Sequence, residues 1–318
     1  MVNGHGRVGP ARDGWVGFAQ PEQATHGEPL SKDLSTTSHQ KLRTICVRLA
    51  YEGTRYCGWQ MQPGRMTVQG TLAEALKSIT GESTKPVGSS RTDAGVHAIG
   101  QMAVFETRSR LTLNVLFCAI NARLPPDIAV LDIREAACGF DPIRSAIRKM
   151  YRYRIHDPRW PPILGRHLVW RCRSQLNIDA MRTAAEHLLG KHDFTSFEKV
   201  PSLRLSKVRT IYSISIRRVS CDDDQPDAEI WIEIEGNGFL HNMVRIIVGS
   251  LVMVGSGRRS PEWMPQALES HNRLHAGPTA PAQGLVLVRI DFSDDAGQTP
   301  MDYSSSSLIQ SQIIDHPE

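Results

Sequence analysis

Between Ile45 and Phe292 the apolar residues switch repeatedly between two spacings, two apart and then three or four apart, and this restricts the fold more than any other property of the chain. Ile45, Val47 and Leu49 alternate as in a strand; Val68, Leu72, Leu76 and Ile79 then share one helical face, which Gly81 can close. A short strand at Val104 and Phe105 follows, then a helix through Leu113, Leu116 and Ile120 stopped by Pro125 and Pro126, then a strand from Ile128 to Ile133. The first half therefore reads β-α-β-α-β. A second set begins where Tyr151, Tyr153 and Ile155 alternate, and Asn177 can cap a helix carrying Met181, Ala185, Leu188 and Leu189 up to Gly190. Tyr212, Ile214 and Ile216 face Ile230, Ile232 and Ile234 across an acidic Asp222–Asp224 turn, as in a hairpin. An apolar helix over Phe239–Val254, a helix started by Ser260-Pro261 and a closing strand Leu285–Phe292 complete it. Two such halves with antiparallel hairpins predict an α+β fold and fit it better than a doubly wound parallel sheet.

The ends lack this alternation. Residues 1–41 are rich in Gly, Pro, Ser, Thr and Gln, with apolar residues at no period, so burial cannot offset the entropy of ordering them. Residues 294–318 include the Ser304–Ser307 run. Both stretches are expected to be flexible tails around an N-terminal α/β domain over 42–145 and a C-terminal one over 146–293. The 318 residues suit two domains, at roughly 100 to 200 residues each. Residues 4–9, GHGRVG, fit the dinucleotide pattern GxGxxG, but that loop works only between a strand and a helix, so no dinucleotide site is expected there.

Charge becomes informative once the tails are set aside: residues 42–293 carry 33 Lys and Arg against 24 Asp and Glu. That excess suits a polyanionic partner, although charge alone favours the plainer reading of a solvated basic surface. Nine of the bases fall between Arg144 and Arg173 against Asp157 alone, interleaved with Tyr151, Tyr153, Trp160 and Trp170, and six more fall between Lys199 and Arg218 with no acid. Such clusters suit an RNA backbone and stacked bases. The acidic run from Asp222 to Glu235 is expected to face away from RNA. The six cysteines, at 46, 57, 118, 138, 172 and 221, form no CxxC pair, which points to a reducing compartment and to no zinc site. No apolar signal core opens the chain, and its longest apolar stretch, Met243 to Val254, is interrupted by Arg245, so a soluble, cytoplasmic protein with no membrane partner is expected.

The stretch with most chemistry is Ser89-Ser90-Arg91-Thr92-Asp93-Ala94-Gly95-Val96-His97-Ala98. Small residues flank one carboxylate, leaving room for a ligand to approach the backbone of a loop carried by a sheet. Two readings of Asp93 compete here: an Asx-type turn closing on its own loop amides, and a reactive carboxylate. A metal site from Asp93 and His97 is thin, since two ligands do not complete a coordination sphere.

Arg91-Thr92-Asp93-Ala94-Gly95-Val96-His97-Ala98 resembles the signature loop of the tRNA pseudouridine synthase A family, in which the Asp is catalytic. Tyr51-Glu52-Gly53 with Tyr56-Cys57-Gly58-Trp59-Gln60 is similar to the family's opening strand and loop, and Lys149-Met150-Tyr151-Arg152-Tyr153 to its active-site tyrosine strand. His192–Phe197, Gly238–Arg245 and Ala276–Pro281 are similar to later segments in the same order. The likeness runs from about residue 42 to 293, and it departs at Ser90, where the family usually places Gly before the Arg.

The resemblance implies two ferredoxin-like α/β halves joined into a continuous, mainly antiparallel sheet with a central basic cleft. It implies a homodimer that binds one tRNA across both subunits and isomerises uridine in the anticodon stem-loop, around positions 38 to 40. It assigns catalysis to Asp93, substrate binding to Tyr151, Arg91 and Arg245, and a pairing of Arg245 with Asp93.

The chemistry fits these residue types. Pseudouridine forms when N1–C1′ breaks, the base turns and C5 joins C1′, so no electrons or groups are exchanged with the outside, and no cofactor or metal is expected. A carboxylate, ionised at neutral pH for an ordinary Asp, can attack C1′, add to C6 or take the C2′ proton. A uridine within a stem must first be extruded, at a cost of a few kcal/mol. Arg91 can fill the vacated place, and Tyr151 offers a flat face for uracil and help with the C5 proton, against the plainer readings of a surface cation and a half-buried strand tyrosine.

Overall fold

The computed structural model describes residues 41–157, 160–199, 206–219 and 229–293. The GHGRVG stretch, the Asp222–Asp224 turn and both expected tails, apart from Lys41, lie outside the described residues.

The first half runs β1 (Arg43–Tyr51), α1 (Val68–Thr80), β2 (Val87–Gly88), β3 (His97–Thr107), α2 (Leu113–Arg123) and β4 (Ile128–Ala136). Its strands lie in the order β4-β1-β3, with β2 beside β3. The second half runs β5 (Ala146–His156), β6 (Trp170–Arg171), α3 (Ile178–Glu186), β7 (Gly190–Asp193), β8 (Val208–Val219), β9 (Glu229–Gly236), α4 (Met243–Gly255), α5 (Trp263–Glu269) and β10 (Leu285–Phe292). Its strands lie in the order β10-β5-β9-β8. With β6, β7 and α5 set aside as additions, each half is βαββαβ with its last strand beside its first, which is the ferredoxin-like arrangement. The sheet is continuous and mainly antiparallel.

The join between the halves follows from the shortness of β2. That strand pairs only with Ala103 and Val104 of β3, leaving the edge at His97 and Ala98 open. Strand β10 takes this edge in parallel through Val286 and Leu287, while its other edge pairs with β5. A side chain at Gly100 would put its Cβ 2.1 Å from the Val288 carbonyl oxygen, so the seam closes only over a glycine. The loop between β2 and β3, with Asp93 in it, is thereby fixed at the seam.

Local signals explain most boundaries. Thr67, Thr112 and Asn177 cap α1, α2 and α3 with their side-chain oxygens, and Gly81, at φ 74°, ends α1. Leu72 and Leu76 bury the inner face of α1 completely; truncating either to Ala is expected to cost about 2–5 kcal/mol. Four sequence expectations shift. Strand β1 is buried at every position from Thr44 to Leu49 rather than alternately, so both of its faces are covered. Helix α3 stops at Glu186, and Gly190, at φ 93°, opens β7 instead of capping it. A register shift between Ile211 and Ser213 buries Ile211 and turns Tyr212 out, leaving Ile214 and Ile216 opposite Ile234 and Ile232. Helix α4 begins at Met243 and not at Phe239, since Asn242 is left-handed.

Candidate active site

The Asp93 loop is gripped from three sides. Trp59 donates its backbone N–H to the Thr92 carbonyl at 3.0 Å, and Gly58, at φ 86°, lets this loop pass so close that a Cβ there would lie 2.6 Å from the same oxygen. The Tyr51 hydroxyl and Thr92 Oγ1 are 2.7 Å apart. Gln101, fully buried on β3, clamps Ser90 with both ends of its amide, donating to the carbonyl at 2.6 Å and accepting from the N–H at 3.2 Å. His97 closes the base of the loop: Nδ1 accepts from Gly53 N–H at 3.0 Å, which leaves Nε2 to donate to the Gln283 carbonyl at 3.2 Å. Burial lowers the pKa of His97, in keeping with a neutral ring. Both its nitrogens are therefore engaged in tying loops together. Among the described residues no group of three His, Cys, Asp or Glu is placed to hold a metal ion.

This grip leaves the Asp93 carboxylate pointing away from its own loop. Among the described residues it accepts no bond from a loop amide, which removes the Asx-turn reading; its contacts come from the other half of the molecule. Arg245, the third residue of α4, places Nη1 3.4 Å from Oδ2, and the half-exposed His241 places Nε2 3.5 Å from Oδ1. The guanidinium is held firmly from behind, donating from Nε to the Ala280 carbonyl at 2.8 Å and from Nη1 to Asn242 Oδ1 at 2.6 Å. Arg245 thus neither snorkels to solvent nor lies unpaired in the apolar helix.

Tyr151 enters the same place from β5. It is buried, its ring meets Phe239 edge-on at 5.3 Å between centroids, and its hydroxyl is 2.9 Å from Ser90 Oγ. Burial raises the phenol pKa to about 12, with the Ser90 hydrogen bond opposing the rise, so the group stays protonated at neutral pH. Two residues earlier on the same face, Lys149 donates from Nζ to the Ser89 carbonyl at 2.6 Å. The structure therefore brings Asp93, Arg245 and Tyr151 to one seam, while Arg91 is exposed on the loop and makes no ion pair among the described residues.

Sequence reasoning missed His241, Asn242 and Gln101. Gln101 left one trace, a lone amide in an apolar strand; the other two lay within a segment read as helix. The basic run from Arg144 to Arg173 also needs correction as a free surface. On β5, Arg148, Arg152 and Arg154 pair at 2.5, 2.7 and 2.7 Å with Glu235, Glu233 and Glu229 of β9, so three of the nine bases of that run are held by glutamates of the acidic one.

An arginine-held carboxylate beside a protonated phenol is equipped for acid–base or nucleophilic chemistry. Residues 49–140 and 184–293 match the model of a family described as tRNA pseudouridine synthase. The tRNA pseudouridine synthase A of Geotalea daltonii is 39% identical over 251 residues, covering 79% of this chain and 100% of that protein. Those of Myxococcus xanthus and Acetivibrio thermocellus are 42% and 41% identical, covering 78% and 79% of this chain and 91% and 100% of their own lengths. The chain belongs to the tRNA pseudouridine synthase family.

Proposed function

We propose that this chain isomerises uridine to pseudouridine in the anticodon stem-loop of tRNA, around positions 38 to 40, with Asp93 as the catalytic residue. The observation that carries the reading is the contact of Asp93, on the loop of the first half, with Arg245 on α4 of the second. The guanidinium orients the carboxylate by a charge-assisted contact, and Tyr151 offers the flipped uracil a buried ring edge and a hydroxyl donor. Its raised pKa keeps the hydroxyl protonated at neutral pH, so in the resting site Tyr151 is a donor. The reaction is balanced within the substrate: one proton leaves C5 and one is gained at N1, with no redox partner or group donor.

Arg91, exposed beside Asp93, fills the place the flipped uridine vacates. The excess of 33 bases over 24 acids in residues 42–293 supports an RNA partner. The protein works as a homodimer in the cytoplasm, one tRNA lying across both subunits, with an N-terminal domain at 42–145, a C-terminal domain at 146–293 and flexible tails beyond. No helix among the described residues is long and apolar enough to cross a membrane, and the reading includes no membrane partner.

The test is release of tritium from tRNA labelled at uridine C5, because isomerisation frees that label. The wild-type chain is expected to release it, and D93N to release none while still binding tRNA. Release by D93N near the wild-type rate would overturn the assignment of Asp93.

A further inference from the structure

Asn242 breaks two local rules at once. It stands at the N-cap of α4, where Asn ordinarily takes an extended backbone and accepts a bond from an N–H of the first turn. Here its φ is 60° and its ψ 9°, in the left-handed region, and its side chain makes no capping bond. The residue is buried, at 8% exposure, so its amide is not simply solvated. Its Oδ1 is instead 2.6 Å from Arg245 Nη1. Arginine carries only donors, so the amide oxygen, and not the nitrogen, must face it. A non-glycine residue held left-handed stores strain, and such strain persists where the surrounding structure uses the side chain it presents.

The geometry around Arg245 shows what that use is. Nη1 lies nearer to Asn242 than to Asp93, 2.6 Å against 3.4 Å, and Nε is taken by the Ala280 carbonyl. Two acceptors from the second half thus fix the guanidinium, and the carboxylate of the first half meets a cation already in place. We infer that Asn242 is a positioning residue for the isomerisation: by holding Arg245 from behind, it sets the orienting cation at Asp93 without touching substrate. This rests on Asp93 being the catalytic carboxylate.

The experiment separates strain from positioning with two substitutions. Both Asn242→Gly and Asn242→Ala remove the acceptor, but glycine adopts the left-handed backbone freely whereas alanine keeps the strain. Thermal unfolding and single-turnover isomerisation of tRNA are measured on the full chain, with D93N alongside. The Gly variant is expected to melt above the Ala variant, since only alanine keeps the strain. Both are expected to slow alike, by roughly tenfold or more, as when a hydrogen bond to a charged group is removed, with tRNA affinity unchanged. Asn242→Asp, which restores an acceptor, is expected to recover part of the rate. If the Gly variant isomerises at the wild-type rate, or if the rates of Gly and Ala simply follow their melting temperatures, Asn242 is only structural and the inference is wrong. Activity in D93N marks instead the failure of the underlying assignment.

Discussion

Strand β5 presents two faces built from alternate residues, and they handle charge in opposite ways. On one face Arg148, Arg152 and Arg154 meet the glutamates of β9, and Arg152 and Arg217 lie 4.0 and 5.0 Å from the centroid of the Trp231 ring, with Arg289 of β10 joining Glu235 at 2.9 Å. On the other, Tyr151 and Tyr153 are buried, and Lys149 directs its ammonium to a backbone carbonyl of the Asp93 loop. One face is a lattice of arginines sharing the glutamates of β9; the other delivers single polar groups to a seam where Asp93 and Arg245 meet. A one-residue step along the strand separates scaffold from site. Counting bases along the chain therefore overstates the free positive surface, because the neighbouring strand decides which of them are already paired.

Substitutions at adjacent positions test that separation. Tyr151→Phe keeps the ring against Phe239 and removes only the hydroxyl, and it is expected to slow isomerisation on the order of 10- to 100-fold with little change in melting temperature. Arg152→Met, one residue on, strips Glu233 of its close partner and Trp231 of its nearer cation. It is expected to lower stability by about 1–3 kcal/mol and leave kcat within about twofold. Kinetics and thermal melts of the two variants check this, and a fall in kcat for Arg152→Met matching that of Tyr151→Phe would erase the distinction between the faces.

The alternation of periods made both βαββαβ halves legible except for β2, whose two residues are too few to show a period. That small strand decides how the halves join, so the seam itself was hidden. Asp93, Tyr151 and Arg245 were singled out by the family resemblance of segments far apart along the chain, and the structure brings them to one seam; what the sequence could not convey was the hold on Arg245. A left-handed Asn242 looks like any residue entering a helix, and the bond it makes exists only once α4 packs beside the segment carrying Ala280. The pairing of β5 arginines with β9 glutamates was hidden for the same reason: it depends on register across strands, not on spacing along one.

Salt dependence sharpens the comparison further. Removing a side chain that neutralises one phosphate lowers the slope of log affinity against log salt by about 0.9 for a duplex. Because the carboxylates of β9 already hold them, Arg152→Gln and Arg154→Gln are expected to leave that slope unchanged, as measured by tRNA titration at several salt concentrations. A slope lowered by about one unit would place phosphate on the lattice face.

The smallest effect concerns His97. Burial lowers its pKa from the ordinary 6.5, so on acidification the unfolded chain takes up this proton first. The stability tied to the neutral ring is fully present above 6.5 and is lost as pH falls through that value toward the lowered pKa. His97→Gln is expected to flatten this part of the pH profile of the melting temperature; a profile as steep as the wild type's would mean that another group is responsible.

The second half of the molecule places the Arg245 guanidinium 3.4 Å from the Asp93 carboxylate of the first, and the proposed mechanism makes it the orienting cation. Arg245→Met tests this most directly when single-turnover rate and tRNA affinity are measured on the same protein. Arg245 lies behind Asp93 rather than on the exposed loop, so the rate is expected to fall on the order of 100-fold while the affinity stays within about threefold. An equal fall in rate and affinity would contradict the orienting role and make Arg245 an RNA contact.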